Sequence, residues 1–429
     1  TEIQPSLEFN TGDGLLVLGT PTPATIPVLG SGAETTISWS FVSSLPGEVV
    51  LEGNAQGLVN ANQVRRSIVT HTSAHRIYTP VPLVELYPTA NLPFSINRGQ
   101  QGLVPLTLTF INAGDANVAD AHLTSIRLRF QESVDGPDIA PSDLVDRIVV
   151  AEGTNIYLEA TSLPTTGSEA NLVFSEPVVI TGAEPVTLGL RLDLHPDSTV
   201  PSFLVSIEDA TWLAGNDAVN GADLLVVPGE GAFPVRTGQA TLVSPALGLN
   251  VAVAELDSVH AVSGQSEILL AEISLTQPMA DDNSSSIDVG RLAFVFHDAA
   301  GLPLADPERY LSRLSLRSAF QEHYVGTPVV EGDSLVVLSL SAPVTITGNA
   351  TLVLGLYGDI AADSPRGEFT SLLGPANQFD ARDGNMNNPV PVTLTTGPSG
   401  PVVNVLGPAT FVTLGGRGLV QREMHPVTR

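Results

Sequence analysis

The stretch PVVITG at residues 177–182 returns as PVTITG at 343–348, 166 positions further along the chain. Working outward at the same spacing, the pairs continue: Phe130/Phe296, Pro141/Pro307, Arg147/Arg313, Leu172/Leu338, Gly189/Gly355, Asp193/Asp359, Phe203/Phe369 and Asp217/Asp383. Residues 126–223 thus repeat, without a gap, at 292–389. A repeat of this length means one folding unit used at least twice, long enough to bury its own core. What returns is mainly apolar, proline or glycine, so a building block has been duplicated rather than an active site.

The local pattern is β. LTLTF at 106–110, IRLRF at 126–130, VTLGLRLDL at 186–194 and LVVLSL at 335–340 alternate or run apolar in short stretches. Clusters of Gly, Pro, Asn and Asp separate them, with 39 Gly and 33 Pro in the chain to supply turns. This predicts an all-β chain of three tandem β-sandwich modules, Ig-like or jelly-roll-like. One helical interruption recurs, PSDLVDRI at 141–148 against PERYLSRL at 307–314. Proline at the first turn, acids early and Arg147 or Arg313 late predict one short helix in each repeat. The modules are expected at 1–79 (smaller, with strands at 37–41 and 49–57), 80–244 and 245–413, with a C-terminal tail at 414–429. The connections YTPVP at 78–82 and VSPA at 243–246 are short and contain proline, which stiffens them.

Composition removes several chemistries. The 429 residues contain no Cys, so there is no disulfide framework and no thiolate metal site. All 18 basic residues are Arg, which excludes a phosphate-loop lysine, a Schiff base and a Lys–Asn isopeptide link. A net charge of −27 repels nucleic acid and anionic membrane. No apolar run approaches the ~18 residues of a membrane-spanning helix. With Thr at position 1, the chain reads as a mature or excised segment of a longer precursor.

Candidate sites are few. The loops GNDAVNGAD at 215–223 and DARDGNMNN at 380–388 hold equivalent positions and offer oxygens of the kind calcium takes. Both lack the spacing of a calcium loop with a distal Glu, and Asp, Asn and Gly are also ordinary turn residues; the turn reading is preferred. Asp193 and Asp359 close long apolar strands and read as turn caps. His71 and His75 have zinc-like i,i+4 spacing without a third ligand, and read as a solvated strand face. Acidic pairs at Asp135/Asp138, Asp143/Asp146 and Asp281/Asp282 are chance spacings among 45 acids. The other histidines, including His425, lie outside any nucleophile motif, and GGRG at 415–418 lacks phosphate-loop spacing. Trp39 and Trp212 are read as core; Trp212 aligns with Gln378, so no aromatic platform recurs. NSS at 283–285 and NAT at 349–351 match the N-glycosylation sequon. No catalytic, cofactor-binding or metal residue is assigned, and no cofactor is expected beyond the weighed calcium.

TISWSF at 36–41 followed by GEVVLEGNAQG at 47–57 resembles the cell-adhesion-related Ig-like domain of bacterial surface proteins. NLPFSINRGQQGLVPLTLTF at 91–110 and its counterpart VHAVSGQSEILLAEISL at 259–275 resemble tandem β-sandwich modules of large secreted bacterial proteins. The resemblance implies an extracellular or cell-surface structural role without catalysis and carries over no site residues. Residues 1–34 depart from it, being too irregular for a full set of strands. A sandwich short of a strand leaves an edge for a neighbour to complete, and ATFVTL at 409–414 is a candidate donor to the next subunit, or the last strand of its own repeat. Self-association into a stalk, filament or surface layer is the expected behaviour. The competing reading is a set of accessory modules that bind a surface glycan or another ligand.

Overall fold

The computed structural model describes residues 3–407 apart from 60–62, 68, 115–116, 183, 279, 281–282, 320, 329, 332–334 and 396–399. The described chain is nearly all β, and it divides into two compact units. One comprises Thr1–Pro93 with Gln101–Gln239, the other Phe94–Gln100 with Ala240–Arg429. The expected strand ATFVTL at 409–414, the tail at 414–429, GGRG at 415–418, His425 and the pair Asp281/Asp282 lie outside the described residues.

In the first unit, the N-terminal region is built on one long strand, Gly47–Val59. Gln4–Thr11 pairs along one side of it, and Gln63–Arg66, Thr70–His71 and His75–Ile77 pair along the other. Among the described residues, two strands face this sheet, Leu15–Leu18 and Phe41–Leu45. Their shared core is small: Leu16, Val49 and Leu51, with Leu7 and Ile77 packed against them. Phe41, Val42 and Leu45 are 56%, 70% and 53% exposed, so this sheet leaves much of its apolar surface uncovered. The strand expected at 37–41 instead begins at Phe41, and before it Ser38 makes a single bridge to Thr22. Pro21, Pro23 and Pro27 supply no N–H donors on the facing segment, and a ladder cannot propagate there.

The rest of the first unit is a sandwich. One sheet has the order Asn155–Ala160, Val145–Glu152, Val186–Leu194, Leu103–Asn112, Val84–Ala90, Val226–Pro228. The other places Glu169–Ile180, Ala121–Gln131 and Ser202–Ile207 side by side, with Leu213–Asp217 and Val235–Arg236 added along them. Inward residues alternate along strands such as Leu103–Asn112 and Val186–Leu194, while Ser202–Ile207 is buried almost throughout; Leu86, Leu108 and Phe110 reach the interior from one sheet and Leu128, Phe130 and Phe203 from the other.

The second unit contains a sandwich of the same plan. Its first sheet runs Glu322–Gly326, Leu311–Arg317, Thr351–Ile360, Ile268–Thr276, Leu249–Val253, Val392–Leu394. Its second runs Val259–Val262, Val403–Leu406, Gly367–Leu373, Ile287–Asp298, Leu335–Ile346, Val330–Glu331, with Asp380–Asp383 along Ile287–Asp298. Phe296 meets Phe369 edge-on at 6.3 Å between ring centres, and Tyr310 closes on Phe369 at 5.6 Å. The short strand Ser95–Asn97 also belongs to this unit, where it pairs in parallel with Ala240–Val243.

The recurrent helix is shorter than expected. In the first sandwich it is one turn, Pro141–Leu144, closed by the Val145 N–H donating to the Pro141 carbonyl. In the second it is a 3-10 turn, Pro307–Arg309. Arg147 and Arg313 are therefore not helix-terminal cations. They sit on the following strands, opposite Asp193 and Asp359 respectively. Each sandwich also carries a second short turn that sequence did not suggest, Ala210–Trp212 and Ala376–Gln378.

Candidate functional site

The recurrent Asp217/Asp383 and the recurrent pairs Arg147–Asp193 and Arg313–Asp359 mark two places in each sandwich. The first is the loop that carries Asp217 or Asp383. Asp217 is 2% exposed, at the end of the strand Leu213–Asp217. One carboxylate oxygen, Oδ1, accepts the backbone N–H groups of Val219 at 2.8 Å and Asn220 at 3.0 Å. The other, Oδ2, accepts the N–H of Val81 at 2.8 Å. Val81 follows Pro80 in the segment leading into the sandwich, so the carboxylate ties the incoming chain to a loop near the sandwich's far end in sequence.

Asp383 repeats this geometry with more partners. Its Oδ1 accepts the N–H groups of Asn385 and Met386, both at 2.9 Å, and the hydroxyl of Ser285 at 3.1 Å. Its Oδ2 accepts the N–H of Ala246 and the side-chain amide of Asn97, both at 2.9 Å. Asn385 then donates to the Asn97 side-chain oxygen at 2.8 Å and to Ser95 at 3.2 Å. Ala246 follows Pro245, as Val81 follows Pro80.

Burial works against the charge on both carboxylates, yet both pKa values lie below the ordinary Asp value. At Asp217 the N–H groups of Val81, Asn220 and Val219 outweigh burial. At Asp383 the Ala246 and Met386 N–H groups, the Asn97 amide and the Asn385 N–H do so. A carboxylate whose lone pairs are filled by N–H and O–H donors does not present them to a cation, and calcium requires six to eight oxygens around it. Among the described residues, no three His, Cys, Asp or Glu side chains gather where they could hold a metal ion. The two loops are turns closed by their own aspartates, built to anchor a chain.

The second recurrent place is the Arg–Asp pair. The Asp193 Oδ1 accepts the N–H of Gly102 at 2.7 Å, while its Oδ2 receives the Arg147 guanidinium at 2.7 Å, which also reaches Glu159 at 3.0 Å. In the second sandwich Asp359 accepts the N–H of Glu267 at 2.8 Å, and Arg313 lies 3.9 Å from both Asp359 and Glu322. Gly102 and Glu267 both adopt positive φ, +67° and +60°. The carboxylate thus caps a left-handed turn residue at the start of a central strand.

The remaining candidates do not assemble. His71 and His75 pair with Glu52 and Val49 across the long N-terminal strand, and His75 lies 3.4 Å from Ser73. Asp138 pairs with Arg129, and Asp146 lies 3.9 Å from His195. Trp212 is 9% exposed beneath Arg127, whose guanidinium sits 5.5 Å from the ring centre, so it offers no sugar platform. Trp39 is half-buried. Asn349 is exposed in a tight turn, whereas the Ser285 of the other sequon is held by Asp383. Two open clefts, of about 440 Å³ beside Arg127 and Asn171 and about 360 Å³ beside His323 and Ser341, share no repeated chemistry.

Sequence reasoning missed Asn97, Ser285 and the N–H groups of Val81 and Ala246. One signal was available: each N–H belongs to the residue after a linker proline, and lies 136 or 137 positions before its aspartate.

No family model matches the chain, and neither does any curated protein sequence. Among solved structures, the C-terminal domain of the Streptococcus pyogenes antigen I/II-family protein AspA is 12% identical, covering 75% of this chain and 99% of that one at a TM-score of 0.25. A putative membrane anchored protein from Corynebacterium diphtheriae is 10% identical, covering 95% and 82% at 0.18. AvmM, which catalyses macrocyclization in alchivemycin A biosynthesis, is 13% identical, covering 38% and 92% at 0.25. Likenesses of this depth carry no weight for fold or function, which rest on the strand order and on the bonding of the recurrent residues. No helix among the described residues is long and apolar enough to cross a membrane.

Proposed function

We propose that the chain is a non-enzymatic structural protein of the cell surface, a subunit of a stalk, filament or surface layer assembled from β-sandwich modules. In this reading there are three tandem modules, the two larger ones products of a duplication. The observation that carries it is the bonding of the recurrent polar residues. Asp217, Asp383, Arg147, Asp193, Arg313 and Asp359 are each engaged within the fold, on the incoming chain or on a neighbouring strand. These recurrent charged groups serve to fix the module in this reading.

Self-association through strand donation is the finer part of the reading. Its support is the N-terminal region, where a two-stranded sheet with an exposed Phe41–Leu45 strand faces a five-stranded one. An extended segment added beside Phe41–Leu45 would cover apolar surface such as Phe41, Val42 and Leu45. The donor of this reading is ATFVTL at 409–414 of the next subunit. Electron microscopy of the purified chain tests it: filaments or a lattice are expected, and their persistence after deletion of 407–429 would rule out that donor.

A further inference from the structure

Among the described residues, three parallel ladders join an early strand of a sandwich to a late one. In the first unit Val84–Ala90 runs parallel to Val226–Pro228. In the second, Leu249–Val253 runs parallel to Val392–Leu394, and Val259–Val262 to Val403–Leu406. The hydrogen bonds bracketing the two equivalent ladders match. Val84 N–H donates to the Leu225 carbonyl at 2.9 Å and Gly229 N–H to the Leu86 carbonyl at 2.8 Å. Leu249 N–H donates to Pro391 and Thr395 N–H to Val251, both at 2.9 Å.

We propose that each of these sandwiches is a tension-resistant unit, closed by a shear clamp made of the parallel ladder and its aspartate. This deepens the structural reading above and rests on it for its biological setting. The physics lies in the direction of pull. Force applied to the chain ahead of Val84 and beyond Pro228 drags the two strands in opposite senses along their common axis. The bonds bridging them are then strained together, and the ladder fails as a block. An antiparallel hairpin pulled at its open end loses its bonds one after another.

The aspartates sit where such a clamp takes its first strain. Val81 and Ala246 each lie three residues ahead of the early strand, and each is held by a buried carboxylate through its N–H. The partner loops, ending near Asp223 and Asn388, lead straight into the late strands Val226–Pro228 and Val392–Leu394. A pull on the incoming chain therefore meets a charge-assisted bond before it meets the ladder. Asp383 adds Asn97 and Ser285 to its partners, so the second clamp is the more heavily tied.

The test is single-molecule stretching of the full chain. With no native Cys, one cysteine added at each end gives unique handles. Two cooperative ruptures are expected, each releasing roughly 50 nm of chain, after an earlier, weaker event from the N-terminal region. Thr395→Pro removes the N–H given to Val251, and Asp383→Asn weakens the aspartate clasp. Each should abolish the high-force rupture of the second sandwich and leave that of the first. Ile273→Val, a core change in the same sandwich, serves as the control: at comparable loss of stability in denaturant it should keep the rupture force. Gradual extension of the wild-type chain at low force would overturn the proposal. So would equal loss of force in the core control and Thr395→Pro. Should Thr395→Pro fail to fold, the wild-type trace and Asp383→Asn still decide. A chain that assembles into filaments yet stretches at low force refutes the clamp alone. A mechanically strong chain that never assembles refutes only the filament reading.

Discussion

Asp383 accepts the backbone N–H of Ala246 at 2.9 Å, 137 positions earlier in the chain, and Asp217 does the same for Val81 at 2.8 Å. The recurrence of one buried carboxylate on one incoming N–H makes the aspartate, rather than the proline beside it, the fixed point of each connection.

Asp383→Asn should therefore destabilise the second unit by about 1–3 kcal/mol, the usual cost of stranding donors that bonded a buried charge. Asp217→Asn, with three donors and no side-chain partner among the bonds above, should cost less. Denaturant midpoints of the single variants measure both, and equal midpoints to wild type would contradict the assignment.

Acid should act through the same groups. Both folded pKa values lie below the ordinary Asp value, so the unfolded chain takes up protons first as pH falls. The stabilisation is complete above the unfolded pKa of about 4 and is lost as pH drops through the lower folded values. Melting temperature should be insensitive to these groups near neutrality and fall below about pH 4. The double variant Asp217→Asn/Asp383→Asn should show a shallower acid fall than wild type.

Calcium and chelator should leave the melting temperature unchanged, since backbone N–H groups already occupy both oxygens of each carboxylate, joined at Asp383 by the Ser285 hydroxyl and the Asn97 amide. Calorimetry with and without added calcium checks this. A calcium-dependent rise would return the loops at 215–223 and 380–388 to consideration as ion sites.

Gly102→Ala should cost about 1–2 kcal/mol for conformational reasons alone. At φ +67° an added Cβ meets nothing within 4 Å, so no clash contributes. The equivalent residue, Glu267, already bears this strain at φ +60° and gains an ion pair with Arg317 at 2.9 Å. Equilibrium unfolding of Gly102→Ala reads the difference directly.

Much of the architecture was legible because strand signals are local. Alternation in LTLTF at 106–110 and IRLRF at 126–130 needs no knowledge of a partner, and both stretches are strands with inward Leu108, Phe110, Leu128 and Phe130. The helix start at Pro141 was legible for the same reason. Its end was not, because Arg147 is drawn into a strand by Asp193, 46 positions away. The N-terminal strand was misplaced for a related cause: Ile37 and Trp39 have strand-forming side chains, but their neighbours' prolines deny them a ladder. At the site, repetition singled out Asp217 and Asp383, yet their donors are main-chain N–H groups, which side-chain chemistry does not advertise. Asn97 was hidden further, being distant in sequence from the loop it completes.

The parallel ladders also carry an evolutionary consequence. A sandwich in which an early and a late strand run the same way receives the chain at one end of that ladder and releases it at the other. A further copy can follow without a reversal of the backbone or a rethreaded sheet. Each copy brings its own fastening, since the aspartate that holds the incoming segment lies within the module it serves. Lengthening such a protein needs only a further copy of the module in the gene.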